Sequence, residues 1–333
     1  MWQVIGQDKI VSLLDYSLKN DTVAHAYLVT GPRHMGKGTL AINLAQALNC
    51  SESEVPCGQC RSCRRILEGK HADVTTVGLD SRTEIGIDDI RELQRLASLP
   101  PYEGKCKVFI IGDAEYLSTE AANSLLKILE EPPPRVVWLL LAAEEQRLLP
   151  TIVSRCQRLE LRPVPPELVL EALVNLHNVD VDRAKLLVQL CRGRPGWALS
   201  ALKNEDMLEL RSQRIDRLVS LLGSGVEDRF TCAQELASQF SQNRRAGAEI
   251  TETWLDWWRD LMLVKGGCQA SIINMDYEKM LREQARRLSL DEIREFLSNI
   301  CLLQEDVSRN VNPRLAWEWL MLTLPRKNRD SAL

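Results

Sequence analysis

The stretch Gly31-Pro32-Arg33-His34-Met35-Gly36-Lys37-Gly38-Thr39 has the residue types that hold a phosphate. Glycines let backbone N–H groups face an anion, and a helix that begins at the loop adds partial positive charge. Lys37, directly after Gly36, stands where a lysine reaches the terminal phosphates of a nucleotide. The next position calls for a Ser or Thr hydroxyl to hold Mg²⁺, but this chain has Gly38, with Thr39 one residue late. The pattern predicts the scaffold of a nucleotide-binding loop with Gly31, Gly36, Lys37, Gly38 and Thr39 as binding candidates and a weakened metal contact. The competing reading is a glycine-rich strand–helix turn that binds nothing.

A second constellation follows at once. Cys50, Cys57, Cys60 and Cys63 have the spacing C-x6-C-x2-C-x2-C. Each C-x2-C step turns two thiolates toward one centre, and four complete the tetrahedral shell of a Zn²⁺ ion. Pro56 and Gly58 supply a tight turn, and the helical pattern Arg61 to Leu67 carries the last ligand. A closed four-thiolate shell leaves no position for water, so the expected role is structural. His71 reads as a turn residue rather than a fifth ligand. Unligated loop cysteines are the bland alternative.

The elements that must position these groups alternate in the first half of the chain. The apolar run His25 to Thr30 precedes the glycine loop, and Leu40 to Leu48 is helical in pattern. Further strands are expected at Asp73–Val77, Lys107–Ile111 and 136–142, with helices at Gly6–Lys19, about 86–98 and 118–131. Short apolar runs alternating with helices imply a parallel sheet covered on both faces. At the end of the third run, where a nucleotide hydrolase keeps an acidic pair for Mg²⁺ and water, the chain reads Gly112-Asp113-Ala114-Glu115. Asp113 and Glu115 read either as a solvated strand end or as remnants of that pair. Beyond Pro163-Val164-Pro165-Pro166 the patterns are all helical, and Trp254, Leu255, Trp257, Trp258, Leu261 and Met262 share one apolar face, with Trp317 and Leu320 as its expected counterpart.

Composition sets limits. With 333 residues the chain exceeds one small core, and 45% hydrophobic with 26% charged residues describes an ordinary globular protein. A net charge of −4 argues against a lone protein that grips nucleic acid over a broad basic surface, and leaves a local basic patch whose DNA contact is shared with partners. No cleavable signal is read at the start, and the run Val136 to Ala143 is far too short to span a bilayer. Four of the ten cysteines cluster and six scatter, which fits a reducing, cytoplasmic setting with one metal site better than a disulfide framework.

Ala121-Ala122-Asn123-Ser124-Leu125-Leu126-Lys127 leading to Leu129-Glu130-Glu131-Pro132-Pro133, then Leu149-Pro150-Thr151-Ile152 and Ser154-Arg155-Cys156, resembles a bacterial clamp-loader subunit of the AAA+ class, part of the DNA polymerase III machinery. The cysteine module is similar to that family's zinc module, Gly193-Arg194-Pro195-Gly196 resembles its lid motif, and Asn310-Val311-Asn312-Pro313-Arg314-Leu315 its C-terminal collar. The resemblance implies an α/β plus all-α architecture: an AAA+ P-loop domain at 1–163 with the zinc insertion at 50–63, a helical lid at 164–205, and a helical collar for oligomerisation at 206–333.

It also implies which kind of subunit this is. Motor subunits of the family carry an acidic pair where this chain has Gly112-Asp113, a polar sensing residue at Ala142-Ala143, and an arginine at Gly196. With Gly38, these losses imply a non-motor stator that does not hydrolyse ATP itself, leaving open whether it still holds the nucleotide. In the family, the arginine of Ser154-Arg155-Cys156 reaches the neighbouring subunit's ATP as an arginine finger, Ser154 and Cys156 being its motif neighbours. The residues alone also allow a helix-terminal Arg155 that caps carbonyls or pairs with Glu130 or Glu131. The implied partners are gamma/tau and delta subunits in a hetero-pentamer, and through it the sliding clamp and primed DNA, with no membrane. Three other readings compete: an ATP-hydrolysing gamma/tau-type subunit; a P-loop nucleotide kinase, whose zinc cysteines would form separated pairs in a lid; and a module that reads DNA through the zinc cluster, for which Arg61, Arg64 and Arg65 are too few basic residues.

Overall fold

In the computed structural model the described residues are 2–79, 82–204, 206–308 and 311–325. Asn310 of the collar motif and the basic tail Arg326-Lys327-Asn328-Arg329-Asp330 lie outside them. The chain divides into two compact units, residues 1–199 and 200–333.

The first unit begins with α1 (Asp8–Lys19), β1 (Ala26–Thr30), α2 (Lys37–Asn49) and α3 (Arg61–Leu67). It continues with β2 (Val74–Val77), α4 (Ile87–Ala97), β3 (Lys107–Ile111), α5 (Thr119–Glu130), β4 (Val136–Ala142), α6 (Pro150–Val153) and β5 (Gln157–Glu160). All strand pairs are parallel, in the order β2-β3-β4-β1-β5. β1, β3 and β4 are buried along their whole length, as strands covered on both faces must be. Trp138 of β4 is wholly buried and stacks on Phe109 of β3 at 4.6 Å between ring centroids. From β1 the chain crosses to the far edge, returns through β2, β3 and β4, and then places β5 on the other side of β1. Such a switch of direction opens a crevice at the carboxyl end of β1, where the glycine loop begins.

β5 was not expected as a strand. Its residues alternate, with Leu159 buried between exposed Arg158 and Glu160. That is the mark of an edge strand with one covered face, too short to stand out among the flanking polar residues. The unit closes with α7 (Pro166–Glu171), α8 (Val181–Cys191) and the start of α9 (Pro195–Lys203).

The second unit is helical: α10 (Asp206–Leu221), α11 (Val226–Gln242), α12 (Arg244–Lys265), α13 (Glu278–Arg287), α14 (Leu290–Ser308) and α15 (Pro313–Thr323). Trp254, Trp257 and Trp258 of α12 and Trp317 of α15 are at most 1% exposed. Trp254 meets Trp317 edge-on at 5.6 Å, and Trp258 meets Phe296 at 4.5 Å. The tryptophan-rich face is core, as its spacing predicts. Asp260, also fully buried, accepts the backbone N–H groups of Ile273 and Asn274, which ties the loop after α12 to that core. Among the described residues no helix is long and apolar enough to cross a membrane.

Candidate nucleotide loop, cysteine cluster and surface arginine

The glycine loop has the backbone its sequence predicts. Gly31 has φ +133°, and a Cβ there would lie 2.4 Å from the Leu161 carbonyl oxygen, so β1 can enter the loop beside β5 only through glycine. Gly36 caps α2 with φ +91°. Around this scaffold, however, the polar groups are engaged with the protein itself. Lys37 Nζ donates to the carbonyl oxygens of Gly31 at 2.7 Å and Pro32 at 2.9 Å. Gly196, at the start of α9, donates its N–H to the His34 carbonyl oxygen at 2.9 Å. A Cβ on Gly196 would lie 2.6 Å from that same oxygen, so this contact excludes any side chain, an arginine included, unless the loop moves.

The other substitutions are sterically different. A Cβ on Gly38 would meet nothing within 4 Å, and one on Gly112 only ordinary contacts, the nearest 3.6 Å away at Val77 O. A hydroxyl and a carboxylate could occupy those positions, and the chain lacks them for reasons other than space.

Past β3, Asp113 adopts φ +52° and leads into a single helical turn. Of the two readings of Glu115, the solvated strand end does not hold: it is 8% exposed, and its Oε1 accepts the Ala143 N–H at 3.1 Å. Burial pushes its carboxyl above the usual range. Glu115 therefore ties the end of β3 to the end of β4. Nothing in the local sequence signals this, because the bond partner is a backbone group brought in by the sheet.

At the other end of α2 the cysteines converge. The Sγ atoms of Cys50, Cys57, Cys60 and Cys63 all lie within 4.8 Å of one another. The Cys50–Cys60 and Cys57–Cys63 separations are 4.0 and 3.9 Å. A tetrahedron with Zn–S bonds of about 2.3 Å has edges of about 3.8 Å, so the four thiols fit a zinc ion. Cys57 Sγ accepts N–H groups from Cys60 at 3.2 Å and Gln59 at 3.4 Å, which hold its thiol below the usual range. Burial alone would raise Cys60, but backbone donors from Ser51 and Cys63 bring it down to about 6. Cys63, buried on α3, is pushed up by desolvation. His71 is outside the cluster: its Nε2 lies 3.0 Å from Ser62 Oγ and its Nδ1 accepts the Asp73 N–H at 3.2 Å.

A row of buried amides on α2 braces the cluster and was not anticipated. Gln46 Nε2 donates to the Cys63 carbonyl at 2.8 Å, and its Oε1 accepts from Asn43 Nδ2 at 3.0 Å. Asn43 Oδ1 in turn accepts the Gln3 N–H at 2.6 Å. Asn49 Oδ1 accepts from Lys105 N and Cys106 N, while the Cys50 carbonyl accepts from Lys105 Nζ. The signal was present in the sequence: Asn43, Gln46 and Asn49 recur every three residues along an otherwise apolar helix. Ligand-supporting amides of this kind fix the orientation of a metal ligand.

Arg155 stands at the end of α6. Its Nη1 donates to the Thr151 carbonyl at 2.9 Å and lies 3.4 Å from Ser154 Oγ, and its Nη2 pairs with Glu130 Oε1 at 2.7 Å. The side chain is 34% exposed. Ser154 Oγ donates to Thr151 O at 3.1 Å, and Cys156 packs against the apolar core of the sheet domain, where burial pushes its thiol up to about 12. The helix-end pairing that the residues alone allow is the arrangement present in this chain.

With this geometry in place, comparison with known proteins is informative. The delta' subunit of DNA polymerase III from Bacillus subtilis is 29% identical over 319 residues, covering 96% of both chains. Over nearly its whole length the chain is therefore similar to a DNA polymerase III clamp-loader subunit. A family profile described as "DNA polymerase III, delta subunit" matches residues 6–165, the sheet domain with its cysteine module. The tau subunit of the same bacterium is 26% identical over 350 residues, and there the chain spans 99% of its own length but 62% of the relative's. Among solved structures, a gamma subunit-related protein of Thermotoga maritima aligns over 94% of this chain at 20% identity, with a TM-score of 0.46. With its parallel sheet behind a glycine loop, the first unit has the fold of an AAA+ P-loop domain, and its four-cysteine cluster is compatible with a zinc module.

Proposed function

We propose that this chain is a delta'-type stator of the clamp loader: it does not turn over ATP itself and presents Arg155 to the ATP of a neighbouring motor subunit. The observation that carries this reading is Gly196 seated on the His34 carbonyl, at the position where a motor subunit would bring an arginine to its own nucleotide. Gly38 and Gly112 remove two contacts to Mg²⁺, and Lys37 is held by the loop's own carbonyls. Phosphoryl transfer depends on positioned charge, so a site lacking these groups is silent. Arg155, by contrast, is on the surface and beside its motif neighbours. In trans it would stabilise the charge that builds on a γ-phosphate, an effect on the order of 10³–10⁵ in rate at the site it serves.

The partners in this reading are gamma/tau and delta subunits in a hetero-pentamer that loads a sliding clamp on primed DNA. Cys50, Cys57, Cys60 and Cys63 would hold one Zn²⁺, which supplies a fixed cross-link between the α2–α3 connection and α3 rather than any reaction step. The test is ATP hydrolysis by the complex reconstituted with wild-type or Arg155→Ala chain, with clamp and primed DNA. The expected result is intact assembly and a lowered rate; an unchanged rate removes the finger. The similarity to tau favours a second reading, a hydrolysing gamma/tau-type subunit. Turnover by the isolated chain would select it.

A further inference from the structure

We propose that Glu130 is a positioning residue that holds Arg155 in a charge-neutralised, parked state until charge building on a neighbouring subunit's γ-phosphate draws it away. The inference rests on the reading of Arg155 as a finger. A finger acts by delivering positive charge, and a carboxylate 2.7 Å from Nη2 cancels that charge at the place where it would be needed. The other two contacts of the guanidinium, to Thr151 O and Ser154 Oγ, come from its own helix and leave its charge unopposed. Glu130 comes from a different element, α5, which packs against α6.

Glu130 is also oddly placed for a purely local role. It is the last residue of α5, with Glu131 as the cap and Pro132 stopping the helix. An acid in the last turn opposes the helix macrodipole and destabilises that end unless a cation sits with it. Lys127 shares that turn, but Arg155 is the cation bonded to the Glu130 carboxylate, so each side chain offsets a cost of the other in the free chain. Both are partly exposed, at 34% for Arg155 and 51% for Glu130, so the pair is weak enough to be exchanged for a phosphate with its larger charge. An exposed ion pair of this kind shifts an equilibrium by about two- to five-fold. That is the size of latch expected: enough to keep the arginine from stray anions, too little to hold it against the charge that develops on a γ-phosphate in the transition state.

The experiment is steady-state ATP hydrolysis by the reconstituted complex without DNA, using wild-type, Glu130→Gln, Arg155→Ala and the double variant. Glu130→Gln is expected to raise kcat about two- to five-fold and leave KM for ATP unchanged, because the finger acts on charge that develops in the transition state. In the Arg155→Ala background the same change should have no effect. The melting temperature of the Glu130→Gln chain should match wild type, which separates the latch from a folding defect. Should Glu130→Gln leave kcat unchanged or lower it while Arg155→Ala lowers it, the latch is overturned and the finger stands. A gain that persists without Arg155 also overturns the latch. If Arg155→Ala has no effect, the stator reading itself fails and this inference with it.

Discussion

The two ends of α2 solve opposite problems. At its N-terminus the backbone is shaped for a phosphate, but the groups that would bind one are bonded inward: Lys37 to Gly31 and Pro32, His34 to Gly196. At its C-terminus no backbone shape is special, yet four thiols converge to within 4.8 Å and buried amides brace them. One end keeps the backbone of a phosphate loop with its polar groups bonded inward; the other gathers four thiols that fit a zinc ion. A single thirteen-residue helix thus carries a platform and its anchor. This contrast is what the proposed stator reading expects.

The largest expected effect lies at the anchor. Purified chain should contain one zinc per molecule, and Cys60→Ala or strong chelation should remove it. Loss of the cross-link should destabilise the first unit by on the order of 3 kcal/mol, the size typical of losing a structural metal or buried network. In a unit of this size that lowers the melting temperature by roughly 6–12 °C. A chain that melts unchanged without its metal would make the two ends of α2 alike, and the comparison would collapse.

Much of this was legible before any coordinates. Glycines at 31 and 36, cysteines at fixed short gaps and the alternating apolar runs are local signals, and local signals survive in a sequence. The inward bonds were not legible because each joins residues that only the fold makes neighbours. Gly196 and His34 are separated by 162 positions, and nothing near either one announces the other. Glu115 reads as polar because its burial is decided by the sheet, and Glu130 was one of two equal candidates for Arg155 until α5 and α6 were placed side by side. β5 was missed for a different reason: as a four-residue edge strand it has too few apolar positions to register.

Gln46 sharpens the comparison from within the helix. Gln46→Leu keeps the volume but strands the Cys63 carbonyl and the Asn43 amide in a buried site, at a cost of about 1–3 kcal/mol. If the amide orients the ligand, this variant should also lose zinc to a competing chelator faster than wild type. A loss of stability with unchanged metal exchange would reduce Gln46 to an ordinary buried hydrogen bond.

Acid titration reports on the same end of α2. Asp73 is buried, which alone would raise its pKa, but three backbone N–H groups, from Tyr102, Glu103 and Gly104, outweigh this and hold it below the usual value. A carboxyl whose folded pKa is depressed stabilises the fold fully above its unfolded pKa of about 3.9, and that contribution is lost as pH falls through the folded value. Melting temperature should therefore be insensitive to Asp73 from pH 7 to about 5 and fall below about 4. Asp73→Asn should lower stability at neutral pH and flatten the acid limb. An acid limb as steep as wild type would assign the acid sensitivity to other groups.

The smallest expected effect is the most informative about the closed end. Gly38→Thr with Gly112→Asp returns a hydroxyl and a carboxylate to the positions where a motor subunit has them, and neither Cβ meets a clash. Stability should change by no more than about 0.5 kcal/mol, as for substitutions that disturb no packing. Hydrolysis by the isolated chain should nevertheless stay absent. Gly196 still sits on His34 and leaves no room for an arginine, Lys37 still bonds the loop's own carbonyls, and Ala143 still offers no polar side chain to a γ-phosphate. Turnover by the double variant would show that the two metal contacts were the whole defect. The inward bonds would then be a resting arrangement that nucleotide can displace, and the two ends of α2 would differ in occupancy rather than in kind.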